Sequence, residues 1–240
     1  MRWLRAWRAA VVREGEWILR NLWALLCATG GEARRRPWLT TALLAGGVAL
    51  TALSGLWDGA LSEWARARAD WNDPVHRAAR FWRTFGAFTD VLTWTALLLC
   101  AGRLLGRERW CRLGLACLLA ASLAGLTANL FRPTIGRARP DTEAGVWALR
   151  GPVFSARWQS LPSGHSATSI GGGAALAFCA SPFALVALPN GLLVAASSVY
   201  LNRHWLSDAV GGLGLGLTAG VLVGLGFRRL ERAGGWVGRS

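Results

Sequence analysis

Leu113-Gly-Leu-Ala-Cys-Leu-Leu-Ala-Ala-Ser-Leu-Ala-Gly-Leu-Thr-Ala-Asn-Leu-Phe131 carries no charge, and Arg132-Pro-Thr-Ile-Gly-Arg-Ala-Arg-Pro140 follows it directly. At roughly 1.5 Å per residue, a helix over the first stretch comes close to the ~30 Å thickness of a bilayer's hydrocarbon core. The second stretch places three guanidiniums just beyond that helix. Because a residue before proline is pushed out of the helical region, the span is expected to stop at Arg132.

Similar apolar runs lie on both sides. Leu39–Leu56, between Trp38 and Trp57, reads as the first span, and Phe85–Ala101 as the second. Beyond the loop come Ser163–Phe183, then Ala184–Leu201 broken at Pro189-Asn190-Gly191, then Ser207–Phe227. The last holds Gly211, Gly212, Gly214 and Gly216, which allow close helix approach. The expected fold is all-α, a polytopic membrane helix bundle of about six transmembrane helices. Residues 1–37 form a basic, Trp-rich cytoplasmic or interfacial segment. Residues 38–227 form the membrane domain, and residues 228–240 a basic cytoplasmic tail.

Composition agrees. The chain has 240 residues, 53% of them apolar, and a mean hydropathy of +0.32. All 27 basic residues are arginine and the net charge is +14. Arginines clustered between apolar runs mark cytoplasmic loops rather than a nucleic-acid footprint, so no nucleic-acid partner is expected. The same bias puts both termini and the Arg103–Arg112 loop in the cytoplasm, with Asp58–Arg80 and Arg132–Leu161 outside. An inner-membrane protein with its site on the periplasmic side follows. Trp3, Trp7 and Val11 fall at helical spacing, so the N-terminal segment reads either as an amphipathic helix in the headgroup layer or as a disordered basic tail. The five cysteines are odd in number and lack CxxC spacing, which points to buried small side chains. His76 reads as a surface histidine, and Asp90, inside the second span, as a residue paired with a nearby arginine.

Three outer stretches hold candidate chemistry. In Tyr200-Leu-Asn-Arg-His-Trp-Leu-Ser-Asp208, His204 and Asp208 lie four apart, within reach on one helix face. A carboxylate on one imidazole nitrogen fixes the tautomer and makes the other a better nucleophile. Pro162-Ser163-Gly164-His165 opens the fourth span, where free amides make an anion site. Arg132, Arg137 and Arg139 supply planar forks suited to phosphate oxygens. Each stretch has a plainer account: headgroup anchors, a helix N-cap, a structural hydrogen bond. Together they describe a cradle for a tetrahedral dianion with two imidazoles aimed into it.

Arg-x6-Arg-Pro, Pro-Ser-Gly-His and His-x3-Asp, in that order, resemble the signature of the type 2 phosphatidic acid phosphatase superfamily, over roughly Arg132–Asp208. The resemblance implies a lipid phosphatase with His204 as the nucleophile that forms a phosphohistidine and Asp208 orienting it. His165 would be the acid that protonates the leaving group, and Arg132, Arg139, Ser163 and Gly164 would bind the phosphoryl oxygens. Two positions depart from the pattern. Arg132 stands where the family usually has lysine, and Ser197-Ser198 stand where Ser-Arg is usual. Arg137 or Arg203 is expected to make up the missing cation. No cofactor and no metal are expected: arginine supplies the charge, and only Asp141 and Glu143 lie nearby. The implied partners are the bilayer and a lipid substrate such as undecaprenyl pyrophosphate, phosphatidylglycerophosphate, phosphatidic acid or a lipid A phosphate. Oligomeric state is not read. A phosphotransferase on the same framework and a non-catalytic lipid-phosphate binder or transporter are the competing readings.

Overall fold

The computed structural model describes residues 2–70, 72–84, 88–179 and 181–238. Among them the chain is mostly helical, apart from a long loop over residues 136–163, with one isolated bridge between Arg137 and Leu149 and no strand. The helices are α1 (Arg2–Arg35), α2 (Pro37–Ser54), α3 (Asp58–Ala67), α4 (Pro74–Thr84), α5 (Phe88–Leu104), α6 (Glu108–Ile135), α7 (Gly164–Phe178), α8 (Ala184–Tyr200) and α9 (Leu206–Ala233). Phe85, the expected start of the second span, the side chain of Asp90, and Arg239 lie outside the described residues.

Among the described residues, three stretches are long and apolar enough to cross a membrane: Pro37–Ala67, Glu108–Ile135 and Leu206–Ala233; Val91–Leu104 and Ala184–Tyr200 are shorter apolar helices. Apolar side chains such as Leu44, Val48, Leu126, Leu130, Leu185 and Leu192 point outward. In water such a belt would be costly; in lipid it is the expected face.

At the centre is α7, enclosed by α6, α8 and α9. It is 15 residues long, roughly 22 Å at 1.5 Å per residue, and ends at Phe178 rather than at the expected Phe183. Its tightest seam is with α9, where Gly212, Gly216, Gly220 and Gly224 face it one turn apart. A Cβ added at Gly216 would sit 2.5 Å from the Ala167 carbonyl oxygen, and one at Gly224 2.2 Å from the Phe178 Cβ. These glycines let the two backbones meet, which fixes the start of α7 beside the start of α9. Of the glycines expected to do this, Gly214 instead meets Gly47 of α2, and Gly211 meets Thr51.

Two proline boundaries fall elsewhere than the sequence suggests. α6 runs through Pro133 and stops at Gly136, whose φ of 60° is left-handed and whose N–H caps the Arg132 carbonyl at 3.0 Å. A side chain there would strike the Gly151 carbonyl, 2.0 Å from a Cβ, so the stop belongs to glycine. α8 is continuous through Pro189. That proline sits in the second turn, and Gly191 just after it packs directly on Ile170 of α7.

The N-terminal segment is one helix, α1, docked against α9 and α6. Trp17, Asn21 and Leu25 are buried, while Trp3, Trp7 and Val11 face away. Trp17 donates to the Val237 carbonyl at 3.0 Å, and Glu14 accepts from Arg103 at 2.6 Å. His76 is buried rather than on the surface, beside Tyr200, because α4 packs along α8. Cys27 and Cys100 are exposed, whereas Cys111, Cys117 and Cys179 are buried as expected.

Candidate functional site

The exit of α6, the start of α7, the start of α9 and the α2–α3 junction meet at one end of the bundle. Backbone bonds tie them together. The Ser163 N–H donates to the Asp208 carbonyl at 2.8 Å, and the Ser160 N–H to the Arg137 carbonyl at 3.2 Å. The Trp205 indole donates to the Ala138 carbonyl at 2.8 Å.

His204 is buried, just before α9, and its Nε2 has no hydrogen-bond partner. Its Nδ1 lies 3.5 Å from Asp208 Oδ2, longer than a good hydrogen bond; such contacts are often loose before substrate binds. Burial pushes the His204 imidazole below its ordinary pKa, against the opposing pull of Asp208. It is therefore neutral at pH 7 with a free lone pair.

Asp208 is held from every side. Its Oδ2 accepts from the Trp205 N–H at 2.9 Å and from the Ser160 hydroxyl, and its Oδ1 from Arg137 at 2.8 Å. Placed in the first turn of α9, the carboxylate also caps that helix.

Arg137 is not a substrate ligand. Its side chain is fully buried, between the rings of Trp147 and Trp205. A guanidinium has five N–H donors, and all five are engaged. Nε donates to the Val146 carbonyl; Nη1 to Ser207 Oγ and Asp208; Nη2 to Asp58 and again to the Val146 carbonyl. The expectation that it meets phosphate is overturned, since no donor remains to offer. Arg137 is a strut that sets Asp208, and through it His204.

Asp58, at the end of the first apolar stretch, completes that strut. Its carboxylate accepts from Arg137 at 2.8 Å, from the Ser207 hydroxyl at 2.5 Å and from the Ser207 N–H at 2.9 Å. Asp58, Ser160 and Ser207 were missed in the sequence. An acid at the very end of an apolar span is a weak signal that could have picked out Asp58; for the two serines there was none.

The remaining cations do face the histidines. Arg132 donates from Nε to the Pro162 carbonyl at 2.9 Å and from Nη1 to Asn129 at 3.2 Å. Its guanidinium lies over Gly164, where a Cβ would stand 2.8 Å from Nη2, so the glycine makes room for the arginine. Arg139 has a buried Nε without a partner, and burial holds its pKa below the ordinary value. Arg132, Arg139 and His204 all lie close enough to His165 to act on it electrostatically. The structure thus brings together His165, His204, Asp208, Arg132 and Arg139.

Ser163 plays a different part from the one expected. Its hydroxyl caps α7 by accepting from the Ser166 N–H at 3.4 Å, and its own amide is spent on Asp208. The free amides of that turn are those of Gly164 and His165, which lack partners within the helix, the kind of group that suits an anion. Arg203 is half-exposed at the rim, 3.7 Å from Asp141. Ser198 is buried and its hydroxyl donates to the Val194 carbonyl at 3.0 Å, so its side chain offers the site nothing, although its carbonyl accepts the His204 N–H at 3.2 Å.

A bundle with two imidazoles and unpaired guanidiniums at one end defines a class of helical membrane proteins built to hold a phosphoryl group. Residues 113–231 match the model of the PAP2 superfamily, and the chain belongs to that superfamily. It is 31% identical over 108 residues to the lipid A 1-phosphatases of Rhizobium johnstonii and Rhizobium etli. Those matches cover 44% of this chain, and 44% and 47% of the two relatives, so less than half of either relative's length is spanned. A transmembrane PAP2-type phosphatidylglycerolphosphate phosphatase from Bacillus subtilis has the same fold: TM-score 0.58, 22% identity, over 80% of this chain and 97% of that one.

Proposed function

We propose that this protein is a membrane phosphatase that removes phosphate from a lipid phosphate or pyrophosphate through a phosphohistidine on His204. The observation that carries the reading is the buried His204 with a free Nε2, backed by Asp208 and faced by His165, Arg132 and Arg139. Nε2 attacks phosphorus, the P–N bond forms as the P–O bond to the lipid breaks, and His165 gives the departing oxygen its proton. His165 then takes a proton from water, whose oxygen attacks phosphorus and releases inorganic phosphate and neutral His204. Arg132, Arg139 and the amides of Gly164 and His165 neutralise the equatorial oxygens, where charge is greatest in the transition state.

Phosphate chemistry at the rim of a lipid-facing bundle suits a substrate whose tail stays in the bilayer. The relatives favour the phosphate of a lipid A-type glycolipid or of phosphatidylglycerophosphate. The arginine-rich α1 and the Arg103–Arg112 loop lie at the opposite end from the site. By the positive-inside bias that end is cytoplasmic, and the site faces the periplasmic leaflet of the inner membrane.

The test is phosphate release by the detergent-purified protein from both lipids and from phosphatidic acid and undecaprenyl pyrophosphate. The expected result is release from at least one, lost in His204→Ala and accompanied by an acid-labile phosphoryl group on the wild type in a rapid quench. Turnover that survives His204→Ala would sink the mechanism.

A further inference from the structure

Arg83 sits in the last turn of α4, on the wall of a cavity of about 500 Å³ that it shares with Arg66, Asp141, Asn202 and Arg203. Its Nε is buried and has no hydrogen-bond partner, and no carboxylate pairs with it among the described residues. Burial pushes its pKa down, and the neighbouring charges of Arg203 and Arg139 push it further. Its own charge reaches His165 and Arg132.

A guanidinium taken partly out of water and set among other cations is unfavourable unless an anion completes the site. The carboxylates at this end cannot do so. Asp58 and Asp208 are engaged by Arg137, and Asp141 lies beside Arg203 at 3.7 Å. Asp208 and Asp141 also offset part of the charge on Arg139, and Asp208 part of that on Arg132. Arg83, which comes from outside the three sequence motifs, makes no ion pair of its own among the described residues.

We propose that Arg83 is a phosphate-binding residue of this site, its fork taking the oxygen contacts that the short, buried Ser198 cannot make. The inference rests on the reading of the site as a phosphoryl cradle. It assigns a role to α4, which closes the cradle from the side facing the cavity. Charge-assisted contacts from a guanidinium are worth roughly one to two decades of affinity.

The test uses the full-length protein in detergent, with inorganic phosphate as the probe, its affinity read by calorimetry, and lipid-phosphate hydrolysis measured in parallel. Arg83→Gln is expected to weaken phosphate binding roughly 10- to 100-fold. Arg83→Lys, which keeps a point charge but loses the fork, should fall between Gln and wild type. Arg66→Gln, which lines the same cavity from α3, should stay within about twofold, a contrast a general loss of surface charge would not give. Should the glutamine variant fail to fold, the lysine variant carries the test: wild-type affinity there overturns the proposal. Unchanged phosphate affinity in a folded Arg83→Gln overturns it as well. Hydrolysis by the wild type with no effect of Arg83→Gln on either readout sinks only the role of Arg83. Phosphate binding that depends on Arg83 without hydrolysis of any lipid sinks the enzymatic reading and leaves this one standing. Hydrolysis by a wild type that does not bind inorganic phosphate leaves the rate as the readout, and an unchanged rate in Arg83→Gln then overturns the proposal. A wild type that neither binds phosphate nor hydrolyses any of the lipids sinks both.

Discussion

Asp58 shows how much of the site depends on residues that never meet substrate. It is one of two carboxylates on a fully buried arginine. Replacing it with asparagine removes the negative charge and turns one of its two acceptor oxygens into an NH2 that must face either the Arg137 guanidinium or the Ser207 N–H, both donors, which leaves the charge half paired. Breaking a buried pair from one side costs about 3–5 kcal/mol, so Asp58→Asn should lower the unfolding temperature in detergent markedly. It should also lower phosphate release, because Asp208 loses its bracing. Arg137→Lys should not be a mild change, since an ammonium cannot reproduce five directed donors. A pH prediction belongs to the same group. Burial holds the folded-state pKa of His204 below its ordinary 6.5, so protonation, which would remove the lone pair that the proposed attack needs, waits for more acid. The acid limb of the rate profile should therefore lie below pH 6.5. A limb above that value would mean that His204 is not the group titrating. The linkage has the same sign for folding: the unfolded chain binds the proton first, so stability falls as the pH drops through that window.

At the scale of the helices, the seam between α7 and α9 decides whether the two histidines meet. Gly216→Ala places a methyl group 2.5 Å from the backbone oxygen of Ala167, which can be relieved only by moving one helix. Overpacking of this kind costs about 1–3 kcal/mol. Activity should fall more than stability, because the displacement acts at the end where the site lies. Gly30→Ala in α1 is the contrast: nothing lies within 4 Å of its added Cβ. An alanine there should be neutral or raise stability by about 0.5–1 kcal/mol through helix propensity. Parallel thermal scans of the two variants check this. The apolar runs made the helices readable, since the pattern is a property of the runs themselves. Their ends at Pro133 and Pro189 were not readable, because tertiary contacts override the local preference of proline there.

Across the whole molecule, legibility follows distance along the chain. His204 and Asp208 are a local pair, and their spacing of four is matched by the 3.5 Å between Nδ1 and Oδ2; Ser163, two residues before His165, is close in sequence too, but its hydroxyl caps α7. Arg137 was misplaced because its carboxylates lie 79 and 71 residues away, and no local spacing says which of several clustered arginines will be claimed by a buried acid. Arg83, the residue proposed above to bind phosphate, carried no sequence signal either: it lies between the polar stretch ending at Arg80 and the apolar run from Phe85.

The bracing of Asp208 by Asp58 has a consequence for anyone building chimeras. The recognisable portion of the chain, residues 113–231, holds every motif residue but neither Asp58 nor Arg83. Grafted onto the front half of a relative, it would bring His204 and Asp208 without the partner that steadies them. A working hybrid would have to carry the turn after α2, and α4 with it, as part of the same transplant.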